Sequence, residues 1–369
     1  MKKLLFLFSF IAIIAACSST DGGSDDTDNY DRTALLTNWA NNIIIPSYSN
    51  YKIKLETLAT DANTFTANPS TTNLQTVRTS WLEAYKAYQY VQQYSFGKAE
   101  EIYFKEKTNT YPTDASGIDA NITAGTYDFS KISQFTMQGF PALDYVLNGL
   151  GATDTEIVAF YTGANATNYK KYITDLVTTL KTNNDTVLND WNGSYKASYI
   201  ANNGSSVTSS VSITINSYIK SFEKDTRAGK VGIPAGSFSA GKLLPNNVEA
   251  FYKKDASKVL CETAVHAAQD FFNGKSFNST SEGPSLKSYL DFLNVVRNNQ
   301  NLSTTINAQF TTIFAKLALL NADFSSQIAT DNTKMLTAYD ALQLNVVNLK
   351  LDMMQALKIT VDYVDSDGD

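Results

Sequence analysis

Apolar residues recur with the period of an α-helix along most of the chain, and this pattern constrains the fold more than any other feature. The stripes cover residues 35–44, 77–91, 173–191, 310–320 and 336–357. Spacings of three and four between apolar residues indicate helices with one buried face, whereas runs with strand propensity are short and isolated. The 21 tyrosines and 20 phenylalanines supply ample core material. The sequence therefore predicts an all-α fold.

A polar segment at 193–206 divides these stripes into two sets. We expect two packed helical bundles, at 30–195 and 205–360, and the two halves are candidates for an internal duplication. The chain is long enough for one large or two medium domains.

Three segments that carry proline and glycine interrupt the helical pattern, at 96–119, 139–151 and 229–245. Their aromatic and aliphatic residues predict packed loops rather than disordered ones, and loops of this length in a compact fold are usually functional. Residues 361–369 are rich in aspartate and predict a solvated acidic tail. The tail begins like a calcium loop but lacks the glutamate that completes one.

The N-terminus has the pattern of an export signal. Lys2 and Lys3 precede an apolar run, and the segment 1–16 is too short for a stable membrane span. The residues before Cys17 resemble a bacterial lipobox, which predicts that this cysteine carries lipid; an ordinary signal with an incidental cysteine is the alternative. The polar segment 17–29 predicts a flexible tether, and its serine and acidic residues resemble surface-export signals of Bacteroidetes lipoproteins.

These features predict an outer-membrane lipoprotein of the cell envelope, and leave open whether it faces the periplasm or the outside. The chain has 36 acidic and 30 basic side chains, a balance that argues against nucleic acid as a partner. A lipidated Cys17 would leave Cys261 without a cysteine partner, so no intramolecular disulfide is expected.

The segment 139–144 reads GFPALD and resembles the GxHxxE signature of the imelysin family. Other segments resemble the family in the same order along nearly the whole mature chain. These are 81–97 (WLEAYKAYQYVQQYSFG), 108–119 (TNTYPTDASGID), 230–236 (KVGIPAG), 244–252 (LPNNVEAFY), 266–274 (HAAQDFFNG) and 351–369 (LDMMQALKITVDYVDSDGD).

This resemblance implies an all-helical fold of two packed bundles with a site near their interface. The family includes proteins classed as insulin-cleaving metallopeptidases and periplasmic proteins associated with iron uptake. Its signature histidine and glutamate are the proposed metal ligands. The resemblance therefore allows iron as a cofactor, but the ligands present in this sequence do not support it, and the cofactor stays open.

In this chain the two signature positions hold Pro141 and Asp144. Proline offers no side-chain donor to a metal, and one aspartate is a poor anchor. Two interpretations remain open. Gly139 to Pro141 can begin a helix with Asp144 in its first turn, where the helix dipole favours a carboxylate. The same helix start can also offer free N–H groups to an anionic ligand.

His266 is the only histidine of the chain. Glu262, His266 and Asp270 follow each other at i+4 spacing, so they share one helical face. This face is a weak candidate for a metal site, and a solvated polar face is the alternative. No HExxH motif of a zinc peptidase and no GxSxG elbow of a serine hydrolase occurs.

Several polar residues in the packed loops are further candidates for a binding site. They are Tyr111, Asp114, Asp119, Arg227, Lys230 and Glu249. Charged groups near a bundle interface need partners, and Arg227 with one of these acids is the expected pair. A ligand pocket and a purely structural contact both remain open.

The residues predicted to form the ligand site are Gly139, Pro141, Asp144, Trp81, Asp114, Arg227 and Lys230. We interpret the chain as a non-catalytic lipoprotein, related to iron-uptake components, that binds a small ligand or a protein partner. The ligand could be an iron complex, a haem or a compound without metal. A metallopeptidase and a structural component of a surface complex are the alternative functions.

Overall fold

The computed structural model of the chain describes residues 28–363. The predicted signal at 1–16, the predicted lipid site at Cys17, most of the predicted tether and the residues after Tyr363 lie outside this range. Within it, α-helices dominate and the predicted all-α class is confirmed.

Polar residues cap several helices in the first half of the chain. The side chains of the N-caps Asp31 and Ser70, for example, each accept a hydrogen bond from the backbone N–H three residues later. Its α-helices are α1 (Arg32–Asn38), α2 (Ile45–Ala67), α3 (Thr71–Gln89), α4 (Lys98–Glu101), α5 (Phe104–Asn109), α6 (Ala115–Ala124), α7 (Gly139–Asp144), α8 (Asp154–Phe160) and α9 (Ala166–Asp190).

The second half contains further α-helices and one short hairpin. Its elements are α10 (Lys196–Ala201), α11 (Ser210–Lys220), α12 (Ser257–Asn273), α13 (Leu286–Phe292), β1 (Val296–Arg297), β2 (Gln300–Asn301), α14 (Leu302–Ala318), α15 (Phe324–Val347) and α16 (Met354–Ala356). The two strands pair antiparallel. Asn298 and Asn299, both with positive φ, turn the chain between them.

Several α-helices continue as π-helical stretches, in which the backbone is more widely wound. These stretches are Trp39–Ile44, Tyr145–Gly149, Trp191–Tyr195, Ser221–Gly232 and Asn348–Met353. Such stretches are frequent at functional sites. Two of them lead to the candidate site described below, since Tyr145–Gly149 follows α7 and Ser221–Gly232 follows α11.

Buried apolar residues from both halves form one contiguous core. In the first half α2 packs against α3 and α9, and in the second half α15 packs against α14. Helix α3 also packs against α12, so the two halves share buried surface. The division at 193–206 and the internal duplication stay predictions, because this continuous core marks no boundary.

The structure corrects some of the sequence expectations at the edges of elements. The segment 139–151 is not a loop but mainly helical. At the predicted tether, the Asp28 carboxylate accepts a hydrogen bond from Tyr289 Oη at 2.6 Å. At the predicted solvated tail, Tyr363 Oη donates to the buried Glu223 at 2.6 Å. Folded contacts therefore extend beyond 30–360 at both ends.

Within residues 28–363, none of the helices combines the length and the apolar character that crossing a membrane requires.

Gly139 begins α7 with a backbone conformation that favours glycine. Its φ is +77°, and a Cβ added there would lie 2.2 Å from the backbone oxygen of Thr108. A backbone atom cannot move aside as a flexible side chain can. The close approach of α7 to the end of α5 therefore depends on the missing side chain.

Replacing this glycine with alanine, Gly139→Ala, is expected to lower the free energy of unfolding by at least about 2 kcal/mol, because strain and overlap add. Urea unfolding measures the change. Gly204→Ala is the matched control, since no atom lies within 4 Å of its added Cβ and its φ is not positive. Equal stability of the two variants would contradict this account of α7.

Candidate functional site

Two adjacent cavities lie on either side of the cis peptide between Tyr111 and Pro112. The lysine cavity, of about 180 Å³, is lined by Lys105, Asn109, Thr110, Tyr111, Pro112, Lys224, Asp225, Gly229, Lys230, Ile233 and Asn247. The aspartate cavity, of about 200 Å³, is lined by Tyr111, Pro112, Thr113, Pro141, Asp144, Asn246, Val248, Ala250, Phe251 and Tyr252. Each is smaller than a typical ligand pocket of roughly 300–1,000 Å³. Together they suit a small ligand.

Helix α7 places Pro141 and Asp144, the two signature positions, on the wall of the aspartate cavity. The Asp144 side chain is buried, with 1% of the residue exposed. Its Oδ2 accepts a hydrogen bond from the backbone N–H of Tyr252 at 2.8 Å, and its Oδ1 accepts one from Asn148 Nδ2 at 3.1 Å. The carboxylate therefore ties α7 to the turn that carries Tyr252.

This contact corrects the expectation that Asp144 is a first-turn partner of the helix dipole. Asp144 is the sixth residue of α7, and Gln138 is the N-cap. Burial raises the pKa of the Asp144 carboxyl to about 7, against the opposing effects of its hydrogen bonds and of the positive charge on Lys253. A carboxyl group that titrates near neutral pH thus lines the cavity.

The signature helix does not offer a metal site in the described residues. Pro141 has no donor, and both oxygens of Asp144 already accept hydrogen bonds from N–H groups. A metal ion needs lone pairs from several ligands at once. The residues present at the signature therefore do not fit iron or zinc.

The lysine cavity has a buried ion pair at its wall. Lys230 Nζ lies 2.5 Å from Glu249 Oε2, and each side chain is 1% exposed. Glu249 Oε1 also accepts hydrogen bonds from Asn109 Nδ2 at 2.8 Å and Gln89 Nε2 at 3.4 Å. Tyr85 donates in turn to Asn109 Oδ1. Buried charges are tolerated when they are paired and hydrogen-bonded in this way.

Burial and the nearby Glu249 carboxylate raise the pKa values of two tyrosines close to this pair, Tyr85 and Tyr111. Both phenols therefore stay protonated at neutral pH. Gly229 lets one of them approach, because its added Cβ would lie 3.1 Å from the Tyr111 hydroxyl. Of the two tyrosines only Tyr111 lines the lysine cavity, which also contains Lys105, Lys224 and Lys230.

The expected partner of Arg227 is corrected by the structure. Lys230, not Arg227, pairs with Glu249. Arg227 Nη2 lies 3.7 Å from Glu223 Oε1, one helical turn earlier. Arg227 is not among the residues that line the two cavities. Arg227 instead contacts Tyr339 and Gln343 of α15 through its Nη1.

Three other candidate residues from the sequence, Trp81, Asp114 and Asp119, line neither cavity. Trp81 is fully buried, and its Nε1 donates to the carbonyl of Phe140 in α7 at 3.2 Å. Asp114 is the N-cap of α6, where its Oδ1 accepts from the N–H of Gly117 at 2.9 Å. This contact lowers the pKa of the Asp114 carboxyl. Asp119 accepts a hydrogen bond from Tyr145 Oη at 3.0 Å.

The three candidates on α12 do not converge on one point. Glu262 lies 3.9 Å from Lys258, and Asp270 lies 3.1 Å from Lys275. The ring of His266 stacks on Phe314 at 4.1 Å, and burial lowers the pKa of this histidine.

Residues at i, i+4 and i+8 extend over about 12 Å of helix axis, whereas ligands lie about 2 Å from a metal ion. Across residues 28–363, moreover, no three side chains of His, Cys, Asp or Glu are grouped so that they could hold a metal ion. The structure therefore gives the α12 face no metal-binding geometry.

The sequence model of one family, imelysin (peptidase M75), matches residues 44–349, most of the chain. The chain belongs to the imelysin family. Two solved structures share its fold. An imelysin-like protein from Psychrobacter arcticus has a TM-score of 0.70 at 19% identity, over 90% of this chain and 97% of that one. A protein named as an iron-regulated protein A precursor, from Parabacteroides distasonis, has a TM-score of 0.73 at 14% identity, with the same coverage. No curated protein matches.

Sequence reasoning identified Asp144, Lys230 and Glu249 of this imelysin site. It missed Lys105, Lys224 and Asp225 of the lysine cavity, and it missed the neutral partners of the charged groups. Asn109 and Gln89 carry no charge, and the donor from Tyr252 is a backbone N–H. None of these leaves a motif in the sequence. The positive φ of Ala250 (+56°), which shapes the turn between Glu249 and Tyr252, is equally invisible there.

The raised pKa of Asp144 predicts a pH dependence of stability. The unfolded carboxyl releases its proton near pH 4, whereas the folded one holds it up to about pH 7. Between these values the folded state binds more protons. The contribution of Asp144 to the free energy of unfolding is therefore fully present below about pH 4 and is lost as the pH rises through about 7. The free energy of unfolding falls by up to roughly 1.4 kcal/mol per pH unit in this range.

Asp144→Asn should remove this slope of the free energy of unfolding against pH, because the amide does not titrate. Urea unfolding between about pH 5 and pH 8 measures the slope. Asp128→Asn is the control: Asp128 is exposed, and its pKa is lowered by hydrogen bonds with Ser130. If Asp144→Asn keeps the wild-type slope, the buried carboxyl is not what titrates.

Proposed function

We propose that this imelysin protein is an exported lipoprotein of the outer membrane that binds a small anionic ligand without transforming it. The sequence supports the anchor through the apolar segment 1–16 and Cys17. Mass spectrometry of the mature N-terminus tests it. A lipid on Cys17 would support the anchor, and an unmodified terminus would contradict it.

The observation that carries the binding proposal is the buried Lys230–Glu249 pair at the wall of an open cavity next to the signature helix. A buried ion pair is costly to desolvate and often adds nothing to stability. Charged groups kept in a cleft are candidates for a functional site. We therefore interpret the pair as part of a binding surface and not only as a structural contact.

The charges around the lysine cavity favour an anion. Three lysines line it, Lys105, Lys224 and Lys230, against the single carboxylate of Asp225. The ammonium group of Lys105 pairs with the carboxylate of Asp225 at 2.7 Å, and Lys230 pairs with Glu249, which does not itself line the cavity. Hydroxyl and amide groups from Tyr111 and Asn109 add hydrogen-bonding capacity, so carboxylate or hydroxyl groups of a ligand would find partners.

The proposed relation to iron uptake rests on the fold and on the name of the Parabacteroides distasonis protein. Because the signature does not fit a bare metal ion, the ligand would be an iron chelate with carboxylate groups or a metal-free compound of the same charge. The protein would recognise the organic shell and not the ion. A peptidase needs a metal site that the described residues do not provide at the signature.

Titration calorimetry of the soluble chain from residue 18, which lacks the predicted lipid site, with ferric citrate and with citrate alone as probes, tests this proposal. Lys230→Met should weaken binding about tenfold or more, since one lost ion pair to a ligand is worth roughly 1.4 kcal/mol or more. Asp144→Ala should also weaken it, because α7 and the Tyr252 turn lose their connection.

His266→Ala is the matched control, because His266 lies on α12 and lines neither cavity. Equal weakening by this variant would assign the effect to general destabilisation. Absence of binding to both probes would contradict the anionic-ligand proposal. Metal-dependent cleavage of a peptide substrate that Asp144→Ala abolishes would establish the metallopeptidase alternative. A stable complex with another envelope protein through a different surface would favour the structural role.

A further inference from the structure

The aspartate cavity is lined by a different kind of residue from the lysine cavity. Three of its walls are aromatic, Tyr111, Phe251 and Tyr252, and a fourth is the buried carboxylate of Asp144. Among the described residues that line this cavity there is no lysine, arginine or histidine. Aromatic rings together with one carboxylate are the composition of a site for an organic cation.

The charged groups around this cavity also favour a cation. Burial and the nearby carboxylates of Asp144 and Asp119 raise the pKa of Tyr252, so its ring stays a neutral phenol. The ammonium group of Lys253, which acts on Asp144, pairs with the carboxylate of Asp255. The positive charge closest to the cavity is therefore compensated, whereas Asp144 pairs with no cationic side chain in the described residues.

One of the aromatic rings already contacts an ammonium group. Lys254 Nζ lies 4.3 Å from the centre of the Phe251 ring, within the roughly 6 Å over which a ring attracts a cation. Lys254 does not line the cavity, so its ammonium group reaches the ring from outside. The surroundings of Phe251 therefore accommodate positive charge.

The hydrogen bonds of Asp144 distinguish between kinds of ammonium group. Its Oδ1 accepts from Asn148 and its Oδ2 from the N–H of Tyr252. A primary ammonium group would bring three N–H donors that each need an acceptor, whereas a methylated quaternary ammonium group has no N–H. It needs only nearby negative charge and aromatic rings, and a cavity of about 200 Å³ suits a small one.

We propose that the aspartate cavity binds the quaternary ammonium group of a small organic compound. The three aromatic residues would surround its methyl groups, and the Asp144 carboxylate would be the countercharge. This site is separate from the anionic site of the proposed function, although Tyr111 and Pro112 border both cavities. The group would come from a plain cation such as choline or from a zwitterion such as glycine betaine.

Titration calorimetry of the soluble chain from residue 18 with tetramethylammonium chloride tests the site, at about pH 8, where Asp144 is ionised. Asp144→Asn should weaken binding about tenfold or more, because the countercharge is lost. Phe251→Leu should weaken it several-fold. Phe160→Leu is the matched control, since this partly exposed phenylalanine of α8 lines neither cavity. Absence of binding to the wild type, or unchanged affinity in both site variants, would overturn the proposal.

A neutral analogue of choline, with a tert-butyl group in place of the trimethylammonium group, tests the role of the charge. Choline should bind about tenfold or more tightly than this analogue of the same shape. Equal affinity would overturn the proposal, because the cavity would then select apolar volume alone. Tighter binding of glycine betaine than of choline would identify a zwitterion as the source, and the reverse order a plain cation. Ferric citrate is titrated separately, so failure of this site and failure of the proposed function are distinguishable.

Discussion

The contact between Lys230 and Glu249 is the interaction on which the rest of the site depends. It joins the π-helical segment Ser221–Gly232 to the turn after Pro245–Asn247, while Asn109 joins the same carboxylate to α5. The backbone carbonyl of Glu249 accepts a hydrogen bond from Ser257 at 2.7 Å, at the start of α12. Four parts of the chain therefore meet at one residue. The lysine cavity is lined partly by α5 and the π-helical segment, and the aspartate cavity partly by the turn around Glu249. This buried pair of charges therefore connects walls of both cavities.

The helical period of the sequence was sufficient to predict the all-α class, because the buried stripe of each helix is encoded in local spacing. The stripe of α3, for example, appears in the structure as Val77, Trp81, Tyr85 and Tyr88, all fully buried. Pairing of charges was not predictable in the same way. Arg227 and Lys230 lie three positions apart on one segment, yet one contacts Glu223 nearby and the other Glu249 across the fold. Local spacing contains no information about which acid a distant turn will bring close.

The altered signature has a clear physical consequence. Where a histidine and a glutamate would offer lone pairs to an ion, Pro141 offers none, and Asp144 accepts hydrogen bonds from Tyr252 and Asn148 instead. The position thus holds two elements together, and a carboxyl group with a pKa of about 7 remains at the cavity wall. Chemistry at this site would depend on charge and hydrogen bonding.

A double-mutant cycle with Lys230→Met and Glu249→Met tests most directly whether this pair organises the site. Each single variant leaves one buried charge without its partner and is expected to lower the free energy of unfolding by about 3–5 kcal/mol, whereas the double variant should recover much of that loss. Urea unfolding of the four proteins gives the coupling energy. If the two single effects are small or simply add, the pair does not hold these elements together, and the account of the site is wrong.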